Sequence, residues 1–185
     1  MMHHTLLEQG TSQLIYFPSA FDHVEFQSLT SEIQWQQNSI RVFGKVHLEP
    51  RLTQWYGPPY SYSSIQWPEQ AFSARLRSLK HRVEQHSKFE FNACLANYYR
   101  DGNDAMGWHR DNEPEIDQRV ISSVTFGAER DFKIRNKKTK ETLTFPLESG
   151  SLLVMRNMQT DFEHSLPRRK RISEPRVNLT FRKIN

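Results

Sequence analysis

The chain of 185 residues predicts an α+β fold, with a helical N-terminal part followed by many short strands that build a sandwich or barrel. Apolar residues recur at helical spacing in residues 21–36 and again from 68 to about 83, and from residue 89 onward the pattern becomes alternating and rich in β-branched residues. No repeat, low-complexity tract or Pro/Gly/Ser-rich linker interrupts it, so residues 1–185 are expected to form one domain.

The elements follow in order. Residues 21–36, FDHVEFQSLTSEIQWQ, place Val24 or Phe26, Leu29 and Ile33 along one helix face. A second helix is expected with Pro68 in its first turn and Phe72, Leu76, Leu79 and Val83 as a buried stripe. Between the two lies VFGKVHLEPRLTQWYGPPYSYSSIQW (42–67). It interleaves Phe43, Trp55, Tyr56, Tyr60, Tyr62 and Trp67 with Lys45 and Arg51, and Arg41 directly precedes it. Such aromatics can pack a hairpin or stack on splayed bases, and we favour recognition, because the GPPY turn leaves little room to bury them all. Strands are expected in FEFNACLANYY (89–99), in RVISSVTFGAERDFKIRN (119–136) around Gly127, and in ETLTFPLESGSLLVMRN (141–157) on both sides of a turn at Glu148–Gly150. PRVNLTFRKIN (175–185) closes the chain with strict alternation.

Composition narrows the class. A hydrophobic content of 36% with 12% aromatic residues fits an ordinary globular protein, and no apolar run reaches the length of a membrane span. The N-terminal MMHHTLLEQG lacks the charged and apolar regions of a signal peptide. A single cysteine, Cys94, rules out an internal disulfide or a multi-cysteine zinc site, so a reducing cytoplasmic or nuclear compartment is expected. Charge is uneven: residues 130–185 hold 14 Lys and Arg against 6 Asp and Glu, whereas residues 1–129 hold 11 against 15. KIRNKKTK (133–140) and PRRKR (167–171) make most of the excess and fit a polyanionic partner.

The chemistry centres on GWHRDNEPE (107–115). On extended backbone His109 and Asp111 leave the same face, as two ligands of one metal must. A third ligand has to come from elsewhere, and among the other histidines His164 stands in the strand region. Two histidines and one carboxylate form the facial triad of non-haem Fe(II) oxygenases, with zinc as the rival. In RVNLTFR, alternation puts Val177, Leu179 and Phe181 on one face and Arg176, Asn178, Thr180 and Arg182 on the other. A half-exposed strand would look the same, yet two guanidinium forks can also clamp a small dicarboxylate.

Together NYYRDGNDAMGWHRDNE, DFEHSLPRRKR and EPRVNLTFRKI resemble the AlkB family of Fe(II)/2-oxoglutarate-dependent nucleic-acid dealkylases, and SSVTFGAERDFKIR and LESGSLLVM match its strand signatures in order. The likeness runs from about Val42 to the end. It implies a double-stranded β-helix (jelly roll) with flanking N-terminal helices and a nucleotide-recognition lid at about residues 40–70. It also implies that His109, Asp111 and His164 ligate Fe(II), and that Asn97, Tyr99, Arg176, Asn178, Thr180 and Arg182 hold 2-oxoglutarate, the co-substrate consumed with O2. RVFGK resembles the hydrophobic finger of members acting on duplex DNA, which would make Phe43 a wedge flanked by Gly44 and Lys45. Tyr62 is the expected stacking partner of a flipped base, with Tyr60 facing phosphates and Ser61 between them. Glu113 is placed to accept from an exocyclic amine, and Asn112 departs from an acidic residue found there in some relatives. The resemblance thus implies a monomeric DNA repair enzyme that removes N-methyl groups from bases of the 1-methyladenine and 3-methylcytosine type. The alternatives are the same chemistry on RNA or protein side chains, or a non-catalytic nucleic-acid-binding module.

Overall fold

The computed structural model describes residues 2–23, 25–42, 45–62 and 65–185, apart from the side chains of Arg41, Val42 and Tyr62. The chain opens not with a helix but with a hairpin, β1 (His4–Gln9) and β2 (Ser12–Phe17). Its turn uses Gly10 at φ 59°, a left-handed conformation that costs glycine nothing. Residues 4–17, for which the sequence predicts no element, thus join the sheet: SQLIYF alternates, sends Leu14 and Tyr16 inward, and adds a strand beside LLVMR. His4 begins the outer strand β1.

Helix α1 (Glu25–Glu32) is shorter than expected, but the apolar face is as read, with Leu29 fully buried, Ile33 buried just beyond the end and Phe26 partly covered. Hairpin β3 (Ser39–Val42) and β4 (Lys45–Leu48) comes next, then β5 (Leu52–Tyr56) and a second small hairpin, β6 (Tyr60–Tyr62) and β7 (Ile65–Trp67). Helix α2 (Ala74–Ser87) begins later than Pro68 implied. Ser73 is the N-cap, its Oγ accepting from the Leu76 N–H at 3.2 Å, while Gln70 is held in a bridge to Gly57. Leu76, Leu79 and Val83 are buried as the stripe required.

The remaining strands are β8 (Ala93–Tyr99), β9 (Met106–His109), β10 (Val120–Gly127), β11 (Arg130–Asn136), β12 (Thr142–Leu147), β13 (Leu152–Arg156), β14 (Phe162–Leu166) and β15 (Arg176–Arg182). Two sheets face each other, a major one in the order β1-β2-β13-β10-β15-β8-β5 and a minor one in the order β12-β11-β14-β9. This is the jelly roll. The helices cover the outer side of the major sheet. One apolar cluster, with Leu29, Leu79, Val124, Val177, Leu179 and Phe181, lies between helices and sheet. A second, with Ile121, Met155, Phe132, Ile134 and Phe162, lies between the two sheets. Strand β15 is buried along its whole length because each face meets a different layer. Its apolar residues serve the helix side, which leaves the polar ones between the sheets.

Residues 40–70 carry the segment expected to recognise nucleotides. They split into two small hairpins around β5, which is the edge strand of the major sheet. The expected exposure of the aromatics is also corrected: Trp55, Tyr56 and Trp67 are buried, since the edge strand and hairpin turn them into the core.

Candidate active site

Cross-strand register assembles the site. In the antiparallel pair β8–β15, Tyr99 stands opposite Arg176 and Asn97 opposite Asn178, so the polar face of β15 continues across β8. On the minor sheet His109 of β9 stands opposite His164 of β14, their ring centroids 4.2 Å apart. The facing surfaces enclose one pocket lined by these residues together with Arg51, Tyr60, Asp111, Thr180 and Arg182. Leu95, Met106, Phe132, Met155 and Leu166 form its apolar walls.

His109, Asp111 and His164 present ligand atoms within 4.8 Å of one another. The surroundings of each suit a metal ligand. The Nδ1 of His109 lies 2.9 Å from the Gly107 carbonyl, which fixes the proton there and leaves Nε2 as the free lone pair. Burial pushes His164 down to about 3, with His109 and Arg182 adding to it, so its imidazole is neutral at physiological pH. His109 is lowered by burial as well. Burial would raise the Asp111 carboxyl, but Arg182, His164 and His109 outweigh it and hold it at about 2. Its Oδ1 accepts from Arg182 at 2.7 Å, whereas Oδ2 is buried without a hydrogen-bond partner among the described residues. A buried carboxylate oxygen left bare beside two imidazoles fits a divalent cation.

The far end of the pocket fits an anion. Arg176 is buried, donates to Thr125 Oγ1 at 2.8 Å and lies over the Tyr99 ring at 5.2 Å. Burial, with Arg130 nearby, pushes its guanidinium down to about 10, and its Nε has no partner among the described residues. The Nε and Nη1 of Arg182 are likewise open. Two buried guanidiniums with spare donors, one beside the triad and one beyond it, match the two carboxylates of 2-oxoglutarate. Asn178 and Thr180 form the floor between them. Asn178 donates to Ser123 Oγ (2.7 Å) and the Val124 carbonyl (3.0 Å) and accepts from Thr180 (3.0 Å), so internal bonds use much of their capacity.

Of the residues expected to meet the base, Glu113 is half-buried near the triad. Its carboxyl is pushed above the usual range by burial and by Asp111, against a hydrogen bond from Tyr60. Tyr60 is corrected: it does not face outward towards phosphates but is buried, stacked on Trp55 with centroids 4.6 Å apart, because β6 folds it into the pocket wall. Asn112, Ser61 and Lys45 are exposed. Phe43, Gly44 and the Tyr62 side chain lie outside the described residues.

Three participants escaped the sequence reading. Gln159 is buried and accepts the Asp111 N–H on Oε1 at 3.0 Å. Arg130 donates to the carbonyls of Asp101, Asp104 and Pro167, fastening the loops that lead into β9 and out of β14. Arg51 reaches Asn97 from the foot of the β3–β4 hairpin. No local signal marks them, since each acts on backbone or side chains at least 26 residues away.

The chain is similar to known proteins. The profile of the 2OG-Fe(II) oxygenase superfamily matches residues 16–182. The human alpha-ketoglutarate-dependent dioxygenase alkB homolog 3 is 35% identical, over 97% of this chain and 69% of its own length. The human and mouse DNA oxidative demethylases ALKBH2 are 36% and 39% identical, over 94% and 86% of this chain and 72% and 73% of theirs. The solved structure of OsALKBH1 superposes with a TM-score of 0.67 at 14% identity, covering 92% of this chain and 97% of that one, a likeness of fold.

Proposed function

As a member of the 2OG-Fe(II) oxygenase superfamily, in its AlkB group, this chain is an Fe(II)- and 2-oxoglutarate-dependent dioxygenase, and we propose that it demethylates N-alkylated bases in DNA. The observation that carries the reading is the bare Oδ2 of Asp111 between His109 and His164, in one pocket with the spare donors of Arg176 and Arg182. When bound, Fe(II) with 2-oxoglutarate and O2 supplies the oxidising power to hydroxylate an N-methyl group, whose breakdown releases formaldehyde.

The protein binds, orients and excludes. His109, Asp111 and His164 would hold the metal from one side and leave the other open. Arg176 would take the distal carboxylate of 2-oxoglutarate with help from Tyr99. Arg182, locked to Asp111, would sit beside the carboxylate nearer the metal. Phe132, Leu166, Met155 and Leu95 give the pocket apolar walls that would limit water around the bound groups. Glu113 would accept from a base amine, with its hydrogen bond to Tyr60 steadying it. The β3–β4 hairpin, with Val46 at 64% and Leu48 at 61% exposure, would present apolar side chains to unstacked nucleic acid, with Phe43 as the wedge. The basic segments 133–140 and 167–171 support a polyanionic partner. A buried, lone Cys94 fits a reducing compartment, cytoplasmic or nuclear, and among the described residues no helix is long and apolar enough to cross a membrane. We infer that the enzyme acts as a monomer.

The test supplies Fe(II), 2-oxoglutarate and matched DNA and RNA oligonucleotides carrying 1-methyladenine, and measures formaldehyde and succinate. Both products in equal amounts from DNA are expected. Product from RNA alone would move the substrate, and no product from any nucleic acid would reject the reading.

A further inference from the structure

We propose that Arg51 is a positioning residue for the 2-oxoglutarate end of the pocket: it fixes which end of the Asn97 amide faces the ligand, and Glu49 holds it at the foot of the β3–β4 hairpin. The inference rests on the function proposed above. It begins with a hydrogen bond of fixed direction. Arg51 Nε lies 2.7 Å from an Asn97 side-chain atom, and a guanidinium can only donate, so that atom must be the amide oxygen. The amide NH2 is therefore the group left over. One of its hydrogens makes a long 3.3 Å contact with the Leu95 carbonyl, and Asn97 itself lines the pocket. A donor so directed suits a carboxylate or keto oxygen and repels another donor. Rotating the amide would set its NH2 against Arg51, a clash of two donors in a buried place.

Arg51 is itself held. It is 3% exposed and pairs with Glu49, 2% exposed, at 3.0 Å. Thr53 Oγ1 donates to the second Glu49 oxygen at 2.9 Å and accepts from Asn38 Nδ2 at 2.9 Å. The Glu49 N–H donates to the Asn38 carbonyl at 2.8 Å, and Gln37 Nε2 donates to the Glu49 carbonyl at 3.0 Å. Residues 37, 38 and 49 flank the hairpin on both sides, so its base and the Asn97 amide belong to one hydrogen-bonded network whose centre, Glu49, Arg51 and Thr53, is buried. Neither pairing strand nor apolar packing needs Arg51 in this place, and a buried ion pair is at best a weak source of stability. Positioning is what the arrangement supplies.

Calorimetric titration of 2-oxoglutarate into the Mn(II)-loaded full chain tests it. Arg51→Lys retains a charge opposite Glu49 but loses the planar fork. It is expected to weaken 2-oxoglutarate binding about tenfold or more, the scale of lost supporting bonds around a metal site. The KM for 2-oxoglutarate should rise while kcat changes little and the melting temperature stays close to that of the wild type. Asn97→Asp can still accept from Arg51 but has no NH2 to offer, so it should lose affinity to a similar degree, and it serves if Arg51→Lys does not fold. Wild-type binding together with either variant binding within twofold would overturn the inference alone. A wild type that does not bind 2-oxoglutarate would overturn the proposed function and the inference with it.

Discussion

At the scale of single residues, the site is held neutral or paired by opposing forces. His164 folds with its titration near 3, far below the 6.5 of a free imidazole. Above about pH 6.5 both folded and unfolded chains carry it neutral. Between about 6.5 and 3 the unfolded chain binds a proton that the folded one refuses, so stability falls as pH falls. We expect the metal-free protein to lose up to about 1.4 kcal/mol per pH unit in that window from this group. Asp111 adds to the loss between about 4 and 2. Denaturant titrations from pH 7.5 to 5 should show the slope, and His164→Gln should flatten it; equal slopes would exclude His164 as the source. The residues that carried the chemistry were legible where their meaning is local. Arg176 and Arg182 share a face by the period of a strand, and His109 and Asp111 by their spacing. Arg51 and Gln159 were not legible, because their partners lie 46 and 48 residues away and only the folded chain joins them.

At the scale of elements, alternation was a better guide than length. The final strand was read residue by residue because its two faces differ in kind. The first hairpin was missed because LLEQGTSQLIYF offers few β-branched residues and only one turn glycine. The second helix was read with its buried stripe correct and its start wrong, since the capping Ser73 looks like any serine until Leu76 donates to it. Close approach at Gly102 is another relation that sequence hides. A Cβ there would stand 1.8 Å from the Arg169 carbonyl oxygen and 2.8 Å from that of Ile172, and both are backbone. Gly102→Ala should therefore cost about 1–3 kcal/mol, visible as a melting temperature lower by several degrees; an unchanged value would mean that the 167–172 loop yields freely. For the β3–β4 hairpin, Phe43→Ala should reduce demethylation of duplex DNA far more than of single strands. Equal losses on the two would remove the wedge.

At the scale of the molecule, the two sheets divide the work. The major sheet supplies the polar floor of the pocket, with Arg176 and Arg182, and is backed by both helices, while the minor sheet supplies both histidines. Binding of Mn(II) with 2-oxoglutarate joins the two, and at a hundredfold excess over Kd should stabilise the fold by about 2.7 kcal/mol. Differential scanning calorimetry should show a higher melting temperature for the wild type and little change for His164→Ala. The charge asymmetry makes a separate prediction. Affinity for an unmodified oligonucleotide should fall about tenfold or more between 50 and 200 mM salt if several of the basic residues at 133–140 and 167–171 meet phosphates. A salt-independent affinity would leave those segments as solvated loops. Some of their charge is already used within the chain, as Arg169 pairs with Asp131 and Arg135 with Glu163, so the slope should be smaller than a count of cations implies.

His109 sits on the last strand of the minor sheet, with a neighbour on one side only among the described residues. Its amides have a single row of bonds to lose, so an edge strand should open to solvent more often than β14 beside it. A cation bound by His109 and His164 would act as a rivet through that seam. Amide hydrogen exchange across residues 106–109 should then slow sharply when the metal is added, with far less change in β10 and β15, whose partners flank them on both sides.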